Sequence, residues 1–460
     1  RLLIGVSETY DVIVNISADN TSNEFLATAE DRIRSSSLYL GSGIKQLVSP
    51  MPKLKYFEGM KMMNGMMEMD GNLDDMGMNM SLQQMDMNTV MYPEITGESK
   101  KESMEMKGMK MTEDDYNSNK LSDIVTLNYA MLKSPTKTTL SPTAPVRNIR
   151  FVLTGNMNRY VWSMDNKVLS ETDKILIKKG ETVRIVIYNN SMMRHPMHLH
   201  GHDFRVLNGQ GDYAPLKNVL DIMPMETDTI EFEANVEGDW FFHCHILYHM
   251  MAGMNRVFST EQQADNPYLP NKKWAYKKLQ RESNQLHFMA ENDFATNGND
   301  GMAMLQNARW SFGSEWRLGY HAEHGYETET HVGRYIGKMQ WFMPFVGFDW
   351  RYRKLGIDEQ EKNLFGQANT KDNRNLFSLG FNYTLPMLVM IQAEVYHNGD
   401  VRLQLMREDI PIAKRLRAGF MINTDKEFML DLRYILTKNL GIRTHYDSDM
   451  GFGVGLALNY

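Results

Sequence analysis

Cysteine is almost absent from the sequence, since Cys244 is the one cysteine among 460 residues. A single cysteine cannot form a disulfide within the chain, so disulfides do not hold this protein together. A free thiol in an oxidising compartment also needs a reason to be there, because thiolates react with oxidants and metals. The residues around Cys244 supply that reason.

Excess positive charge and long apolar runs are also missing. The chain has 50 Lys and Arg residues against 57 Asp and Glu residues, a net charge of −7 and a pI near 6.0. Proteins that bind nucleic acid usually carry a basic face, so we expect no nucleic-acid partner. No apolar run reaches the ~18 residues of a transmembrane helix, so none is expected.

The first residues lack the features of a secretory signal. The chain begins with Arg1, and RLLIGVSETYDVIVNI has no basic start, apolar middle and small-residue cleavage site. Its alternating apolar residues predict strands inside a β domain. We therefore expect the chain to be a fragment of a longer precursor.

Histidine is missing from the first 194 residues and is then concentrated. Seven of the thirteen histidines lie in the same short window as the cysteine. The two motifs are His195-Pro-Met-His198-Leu-His200-Gly-His202 and His243-Cys244-His245-Ile-Leu-Tyr-His249, the second followed by Met254. This density of metal-ligating residue types predicts metal centres rather than ordinary core or surface histidines.

Side-chain parity divides these residues between two centres. Successive side chains of a strand point to opposite faces, so Cys244 faces away from His243 and His245. Two imidazoles, a thiolate and a weak axial thioether make a blue-copper electron-transfer site. The residues that supply this set are His195, Cys244, His249 and Met254. Cys244 then provides a path for electrons through its thiolate and the flanking backbone.

The second centre lies on the far side of Cys244. His198 and His200 have the opposite parity to His195. If this stretch is extended, they join His243 and His245 there.

The motifs HPMHLHGH and HCHILYHMMAGM resemble the last cupredoxin domain of the multicopper oxidases, and residues 1–262 most resemble the copper resistance protein A branch. The resemblance implies that His195, Cys244, His249 and Met254 hold type 1 copper, that His198 is a type 2 ligand, and that His200, His243 and His245 are type 3 ligands. His202 matches a position that is usually not a ligand, and we expect it to support the ligands. Copper ligation would account for the free thiol.

The resemblance also implies that part of an oxidase is missing. Residues 1–50 resemble the C-terminal remnant of a middle cupredoxin domain, so an N-terminal cupredoxin domain is expected to be absent. In the family eight histidines hold the three-copper cluster, half of them from the first domain. This chain offers His198, His200, His243 and His245, so we expect its trinuclear cluster to be incomplete.

Methionine is concentrated in the segment 51–118. Seventeen of the thirty-nine methionines lie between residues 51 and 111. Thioethers are soft ligands that select Cu(I), so we predict a flexible copper-binding segment. A disordered tether or an adaptable apolar loop is the alternative. The candidate Cu(I) ligands are Met62, Met63, Met66, Met67, Met69, Met76, Met78, Met80, Met85, Met87, Met104 and Met106.

Residues 119–262 are predicted to form the C-terminal cupredoxin domain, a Greek-key β-sandwich. Its predicted strands are 149–153, 160–164, 182–188, 204–207, 228–233 and 238–244. Residues 263–283 are polar and Lys-rich, which predicts a linker.

Residues 284–460 have a different pattern. Apolar and polar residues alternate in 377–385, and the same dyad recurs in 428–436 and 452–460. Such segments, ending in aromatics, are typical of a transmembrane β-barrel, which pairs every backbone group. We predict an antiparallel barrel of about ten strands, with turns at 398–400 and 424–426 and a long loop at 355–374. A soluble sandwich is the alternative.

The barrel segment, with the aromatic Tyr460 at its end, resembles copper resistance protein B of the outer membrane. The fold class is therefore all-β, and the expected location is the periplasm and outer membrane of a Gram-negative bacterium. His321, His324 and His331, with Glu323, could ligate copper in the barrel lumen. Solvated loop histidines are the more common interpretation.

Three functions fit this organisation. The favoured one is a copper-resistance multicopper oxidase that oxidises Cu(I) to Cu(II) and reduces O2 to water with four electrons. The second is a copper sequestration and export protein whose oxidase part is vestigial, which the missing histidines support. The third is a laccase-like phenol oxidase, which has no need of the local methionines. Deleting residues 51–111 would separate the first from the third.

Overall fold

The computed structural model describes residues 1–16, 19–51, 81–84, 126–156, 158–159, 161–261, 263, 267–354, 362–367 and 373–460. These residues form an all-β structure with two short α-helices. The candidate Cu(I) ligands from Met62 to Met106 lie outside the described residues. No helix in the described part of the chain is long and apolar enough to cross a membrane.

A small sheet forms near the N-terminus. Strand β1 (Thr21–Thr28) pairs with β2 (Ser35–Gly41) in antiparallel and with β3 (Ile44–Gln46) in parallel orientation. The strands predicted for residues 1–16 are wrong, because the one bridge among those residues joins Leu2 to Leu127. Ile13 is 97% exposed, so the alternating apolar residues there have no partner strand to cover them.

The predicted cupredoxin region forms a two-sheet sandwich. In chain order its strands are β4 (Val146–Asn156), β5 (Val161–Met164), β6 (Ile175–Ile177), β7 (Thr182–Asn189), β8 (His195–Leu199), β9 (Phe204–Val206), β10 (Leu216–Lys217), β11 (Val219–Ile222), β12 (Thr227–Glu233), β13 (Asp239–Cys244) and β14 (Asn255–Thr260), with helix α1 (Leu247–Met251) between the last two. One sheet has the order β10-β9-β12-β7-β4-β5 and the other β11-β8-β13-β14-β6.

Aromatic side chains fill the space between the two sheets. Phe242 is fully buried, and its ring centroid lies 5.7 Å from that of Phe151 and 5.8 Å from that of Phe258. All six predicted strands are present. Strands β11 and β14 were not predicted. Both of their faces are buried, so their residues do not show the alternation on which the prediction relied.

The predicted linker contains a helix. Helix α2 (Lys272–Glu282) begins after Asn271, whose side chain accepts a hydrogen bond from the Trp274 amide. Polar composition suits a solvent-exposed helix as well as a linker, so composition alone did not separate the two.

A closed antiparallel barrel follows. Its strands are β15 (His287–Ala295), β16 (Gly298–Gln306), β17 (Trp310–Gly319), β18 (Tyr326–Arg334), β19 (Phe342–Tyr352), β20 (Asn373–Thr384), β21 (Met390–Tyr396), β22 (Val401–Pro411), β23 (Leu416–Asn423), β24 (Phe428–Ile435), β25 (Leu440–Asp447) and β26 (Gly451–Asn459). Each strand pairs with the next, and β26 pairs with β15 to close the barrel.

The barrel has twelve strands rather than the ten predicted. The difference arises because the turns are short, as between β15 and β16, which leaves room for two more strands. The turns predicted at 398–400 and 424–426 are confirmed, and Gly399 there has a φ of 90°. Strand β20 begins inside the loop predicted at 355–374, so that loop ends two residues earlier than predicted.

In the barrel, the usual arrangement of an apolar interior and a polar surface is reversed. Apolar side chains on its outer surface are exposed, including Phe377 at 67% and Leu430 at 57%. Charged side chains such as Arg374, Glu394 and Arg402 are buried within it. The barrel therefore presents an apolar exterior and a charged interior.

The chain divides into two units. The first comprises Arg1–Thr154, Ser163–Asp165 and Thr172–Tyr268, and the second comprises Gly155–Trp162, Asn166–Glu171 and Leu269–Tyr460.

Candidate metal centres

The first candidate centre lies where strands β8 and β13 meet helix α1. Met197 of β8 pairs with Cys244, and His195 lies two residues earlier, so the His195 and Cys244 side chains share one face of the sheet. The chain leaves β13 at Cys244 and enters α1, which carries His249 back toward the thiol. The two imidazoles and the thiol therefore meet.

The ligand atoms of this centre form a tight triangle. The Cys244 Sγ atom lies 3.6 Å from Nδ1 of His195 and 3.6 Å from Nδ1 of His249, and the two Nδ1 atoms are 3.1 Å apart. All three side chains are buried. This is the donor set of two nitrogens and one sulfur that suits a trigonal copper site.

Burial holds the three ligands in their neutral forms when no cation is present. It raises the pKa of the Cys244 thiol to about 12 and lowers the pKa of His249 to about 4. The pKa of His195 is also lowered, by burial and then by the nearby His249. A thiolate at this position needs a cation to compensate for its buried charge, so the site fits a bound metal ion.

Ser191 fixes the tautomer of His195, and the sequence analysis did not select it. The Ser191 hydroxyl donates to Oδ1 of Asn189 at 2.8 Å, so it is available to accept from Nε2 of His195 at 2.7 Å. With its proton on Nε2, His195 presents the Nδ1 lone pair to Cys244. A hydroxyl residue four positions before the first histidine was the only signal in the sequence.

Met254 is held at the same centre by the backbone. Its carbonyl accepts from the Cys244 amide at 3.1 Å, and its amide donates to the His249 carbonyl at 3.0 Å. The Met254 side chain is fully buried. The structure therefore gathers the ligand atoms of His195, Cys244 and His249 and places the Met254 backbone beside them.

The second candidate centre lies on the other face of β13. His198 pairs directly with His243, as the parity argument predicts. His200 lies just past the end of β8, and its Nε2 atom is 3.1 Å from Nε2 of His243. The ligand atoms of these three residues lie within 4.8 Å of one another.

Backbone carbonyls orient two of these imidazoles. Nδ1 of His198 donates to Asn218 O at 2.7 Å, and Nδ1 of His243 donates to Cys244 O at 2.9 Å. The Nε2 atoms are thereby left to bind a metal. Burial lowers the pKa of His243 to about 4, so its imidazole is neutral near pH 7.

His245 completes a cluster of four imidazoles. Its ring centroid lies 5.5 Å from that of His198 and 5.3 Å from that of His243, and its amide donates to Pro196 O at 2.7 Å. Its Nδ1 atom is buried without a hydrogen-bond partner among the described residues, as expected for a ligand that awaits a metal. His200 is exposed, so this cluster is open to solvent on one side.

His202 lies beside the second candidate centre and supports it. Its ring packs against Phe232 and Trp240, and its Nδ1 atom lies 3.3 Å from the His200 carbonyl oxygen. Gly201 has a φ of +72°, and a Cβ there would lie 2.3 Å from the Trp240 ring. Glycine is therefore required at position 201, in the sharp turn that places His200 in the second centre and His202 outside it.

The barrel contains a third group of ligand atoms, in Glu329, His331 and Glu394. Nε2 of His331 lies 2.9 Å from Glu394, and Arg402 donates to Glu329 at 2.5 and 2.6 Å and to Glu394 at 3.2 Å. Because Arg402 contacts both carboxylates and Arg351 also contacts Glu329, the group forms an ion-pair network.

The other barrel histidines considered as ligands do not form a group of ligand atoms among the described residues. His321 and His324 pack edge to face, with ring centroids 5.5 Å apart. Within the part of the chain that the structure describes, they and Glu323 belong to no group of three ligand atoms within 4.8 Å.

Comparisons with known proteins identify the sandwich. Residues 142–264 match the multicopper oxidase family. Copper resistance protein A homolog of Pseudomonas syringae pv. tomato is 38% identical over 118 residues, which are 26% of this chain and 20% of that protein. Copper resistance protein A of Escherichia coli is 36% identical over 118 residues, again 26% of this chain and 20% of that protein.

A solved structure is also similar, that of the multicopper oxidase McoA from Aquifex aeolicus, with a TM-score of 0.24, 25% identity and coverage of 27% of this chain and 31% of that one. The chain spans about a fifth of the length of the curated relatives it matches. Residues 142–264 are thus a multicopper oxidase domain homologous to copper resistance protein A, and the family implies copper centres.

Proposed function

We propose that this chain is part of a copper-resistance multicopper oxidase, which oxidises Cu(I) to Cu(II) and reduces O2 to water with four electrons at the outer membrane. The observation that carries the proposal is the buried triangle of Cys244, His195 and His249, with Met254 tied to two of its members. Homology of residues 142–264 to copper resistance protein A supports copper as the metal.

Each ligand residue has a proposed role. Type 1 copper would be held by His195, Cys244, His249 and Met254, type 2 copper by His198, and type 3 copper by His200, His243 and His245. Copper bound at these residues would supply one-electron redox chemistry, which protein side chains alone cannot provide. Burial of the first group excludes water and keeps its geometry rigid.

The protein provides a covalent path between the two groups. His243 and His245 are the chain neighbours of Cys244, and their side chains lie on the opposite face of β13. An electron that enters at the Cys244 thiolate therefore needs to cross only the adjacent backbone to reach the second group. Cys244, His243 and His245 form this proposed electron path.

The second group would need additional ligands. This chain contributes four histidines, His198, His200, His243 and His245, and no histidine precedes His195 in its sequence. We propose that an N-terminal cupredoxin domain outside this chain supplies the remaining ligands of the trinuclear cluster. Reduction of O2 would then require both parts.

The barrel would insert into the outer membrane of a Gram-negative bacterium, as in copper resistance protein B. Its apolar exterior and closed hydrogen bonding support this location, because lipid offers no partners for backbone groups. The attached oxidase domain would lie in the periplasm. The methionine-rich segment would capture Cu(I) there.

Copper sequestration and export is the second candidate function. The four-histidine cluster favours it, since this chain alone has half of the histidines expected for a full trinuclear cluster. In that case the first centre would bind copper without supporting turnover.

Copper counting with visible and EPR spectroscopy separates the two functions. The full chain, solubilised in detergent, is loaded with copper anaerobically and reoxidised. A blue type 1 signal that Cu(I) bleaches supports the oxidase, whether or not the second group fills. Copper uptake without a blue signal would contradict the type 1 assignment and favour sequestration.

A further inference from the structure

Helix α2 carries most of its positive charge on one exposed face. Five of its eleven residues are Lys or Arg, and one is acidic. The opposite face is half-buried, as at Tyr276 and Leu279. The exposed residues are mostly three or four positions apart, so they share one side of the helix. They are Lys273, Trp274, Lys277, Lys278 and Arg281.

Trp274 lies among these cations and is not covered by the protein. Its side chain is 55% exposed, and Nζ of Lys278 lies 5.6 Å from the centre of its ring. An exposed tryptophan beside lysines is typical of helices that lie on a membrane surface. In such helices the indole enters the headgroup layer, and the cations contact the anionic headgroups.

The end of the barrel next to α2 is also basic. Residues 283–286 separate α2 from β15, so the Cα atoms of Glu282 and His287 lie within about 18 Å of each other. Five connections lie at this end, and together they contain five Lys or Arg residues and no Asp or Glu. They are residues 307–309, 335–341, 385–389, 412–415 and 436–439.

Four of the cations in these connections are exposed. They are Lys338, Lys414, Arg415 and Lys438. The fifth, Arg309, pairs with Glu171 at 2.6 Å and is not counted further. We name the four exposed cations, together with Lys273, Lys277, Lys278 and Arg281 of α2, the basic collar.

The lengths of the connections indicate which side of the membrane the collar faces. The longest connection, residues 353–372, joins β19 to β20 at the opposite end of the barrel, whereas the longest at the collar end is 335–341. Outer-membrane barrels have short turns on the periplasmic side and longer loops outside. The collar therefore faces the periplasm, where the membrane leaflet consists of phospholipids.

Exposed aromatic residues lie beside the collar. Phe288 is 50% exposed near the start of β15, and Trp310 is 43% exposed at the start of β17. Aromatic side chains at this position form the girdle that marks the membrane interface of a barrel. The collar cations therefore lie near the level of the lipid headgroups.

We propose that the basic collar binds anionic phospholipid headgroups of the periplasmic leaflet, with Trp274 seated in the headgroup layer. The proposal rests on the proposed insertion of the barrel into the outer membrane. Each Lys or Arg close to an anionic membrane surface adds to the attraction, and salt screens it. Binding would hold α2 against the membrane at the point where the chain enters the barrel.

Hydrogen exchange of the α2 amides in reconstituted vesicles tests this proposal. The full chain is folded into phosphatidylcholine vesicles and into vesicles in which about one third of the lipid is phosphatidylglycerol. Exchange in α2 is expected to be at least about fivefold slower with phosphatidylglycerol, the factor that one cation contributes at an anionic surface. Salt at about 0.5 M should abolish the difference.

Neutralising the exposed face of α2 should remove the dependence on lipid charge. The variant combines Lys273→Gln, Lys277→Gln, Lys278→Gln and Arg281→Gln, and its α2 exchange should differ by less than about twofold between the two kinds of vesicle. The control removes the same charge from exposed positions of the sandwich and should behave as wild type. It combines Lys133→Gln, Lys137→Gln, Lys178→Gln and Lys179→Gln.

Retention of the chain by vesicles that are washed in urea and then floated measures barrel insertion in the same samples. If the wild-type chain is washed off both kinds of vesicle, the proposed membrane location fails and the role of the collar fails with it. If the barrel is retained but α2 exchanges equally in both, the location stands and the collar proposal is wrong.

Two other results would also overturn the proposal. A lipid dependence that persists in the variant with four glutamines would mean that the α2 cations do not bind the headgroups. A third set of vesicles contains lipopolysaccharide in place of phosphatidylglycerol. Slower α2 exchange with lipopolysaccharide but not with phosphatidylglycerol would assign the collar to the outer leaflet instead.

Discussion

Both units of this protein are built of strands with alternating apolar and polar residues, but the two units bury opposite faces of those strands. The cupredoxin sandwich buries Phe151, Phe242 and Phe258 between its sheets. The barrel buries charged residues such as Arg402 and exposes Leu430 on its outer face. Alternation shows that a strand has two different faces, but the surrounding medium decides which face points outward.

The contrast extends to how each unit handles buried polar groups. In the sandwich, buried imidazoles lie against Cys244, whose thiol needs a nearby cation in order to ionise. In the barrel, charged side chains are paired within the protein, since Arg351 contacts Glu327, Glu329 and Glu427. The interior of the sandwich has side chains suited to binding a metal ion, whereas the interior of the barrel pairs its charged side chains with one another.

Removal of the Cys244 thiol should have the largest effect, and this effect should be limited to the sandwich. Cys244→Ser removes the sulfur donor, so the blue absorption of the copper-loaded chain should disappear. The barrel contains no part of this site, and its heat-modified migration in gels should not change. Visible spectra and gel shifts measure the two effects separately. A variant that remained blue would rule out Cys244 as the type 1 ligand.

Removal of one barrel arginine should destabilise the other unit instead. Arg402→Met keeps the volume but leaves Glu329 and Glu394 without their shared partner, which should cost about 3–5 kcal/mol. Urea unfolding of the reconstituted barrel measures this change, and the blue spectrum should be retained. Arg415→Ala, at an exposed turn, is the control. Equal stability of both variants would show that the lumen network is dispensable.

A charge on the outer face tests the membrane location. Leu430→Arg, in the middle of β24, should destabilise the barrel in lipid by about 2–4 kcal/mol and have little effect if that face meets water. Leu176→Arg is a control at a similarly exposed position of the sandwich, where a charge should be tolerated. Folding into vesicles, compared with unfolding in urea, gives the difference. A neutral Leu430→Arg would argue for a soluble barrel.

Taken over one pH unit, the smallest expected effect is a pH dependence confined to the sandwich. Burial, and then the charge of Asp228, raises the pKa of Glu226 to about 9. The native state therefore holds a proton that the unfolded chain releases above its ordinary pKa of 4.5. The free energy of unfolding should fall as pH rises between these values, by at most about 1.4 kcal/mol per pH unit.

Glu226→Gln should flatten that dependence. Chemical unfolding of the copper-free chain at several pH values would show it, with Glu233→Gln, at the far end of the strand that follows Glu226, as the control. A variant as steep as wild type would mean that another group holds the proton.

Much of this organisation could be predicted from the sequence. The parity of His198, His243 and Cys244 depends only on strand geometry, and the register confirms it. That both units are built of strands was also predictable, because alternating apolar and polar residues recur along each of them. These features are local, so a single sequence contains enough information to find them.

Other features were not predicted from the sequence. Ser191 contacts His195 only four residues away, but this contact depends on the turn after Asn189, which strand periodicity does not mark. The hydrogen bonds from Leu82 to Asp228 and from Gln83 to Asp221 join residues more than a hundred positions apart, and no local pattern marks them. The number of barrel strands depends on turn lengths, which composition constrains poorly.

The closing contact of the barrel also sets an order of assembly. Strand β15 pairs with β26, so the first barrel strand waits for the last residues of the chain before it can close. The first metal centre depends on shorter separations, 49 residues between His195 and Cys244 and five between Cys244 and His249. Short loops close sooner than long ones. A nascent chain could thus bring His195, Cys244 and His249 together while its barrel is still open.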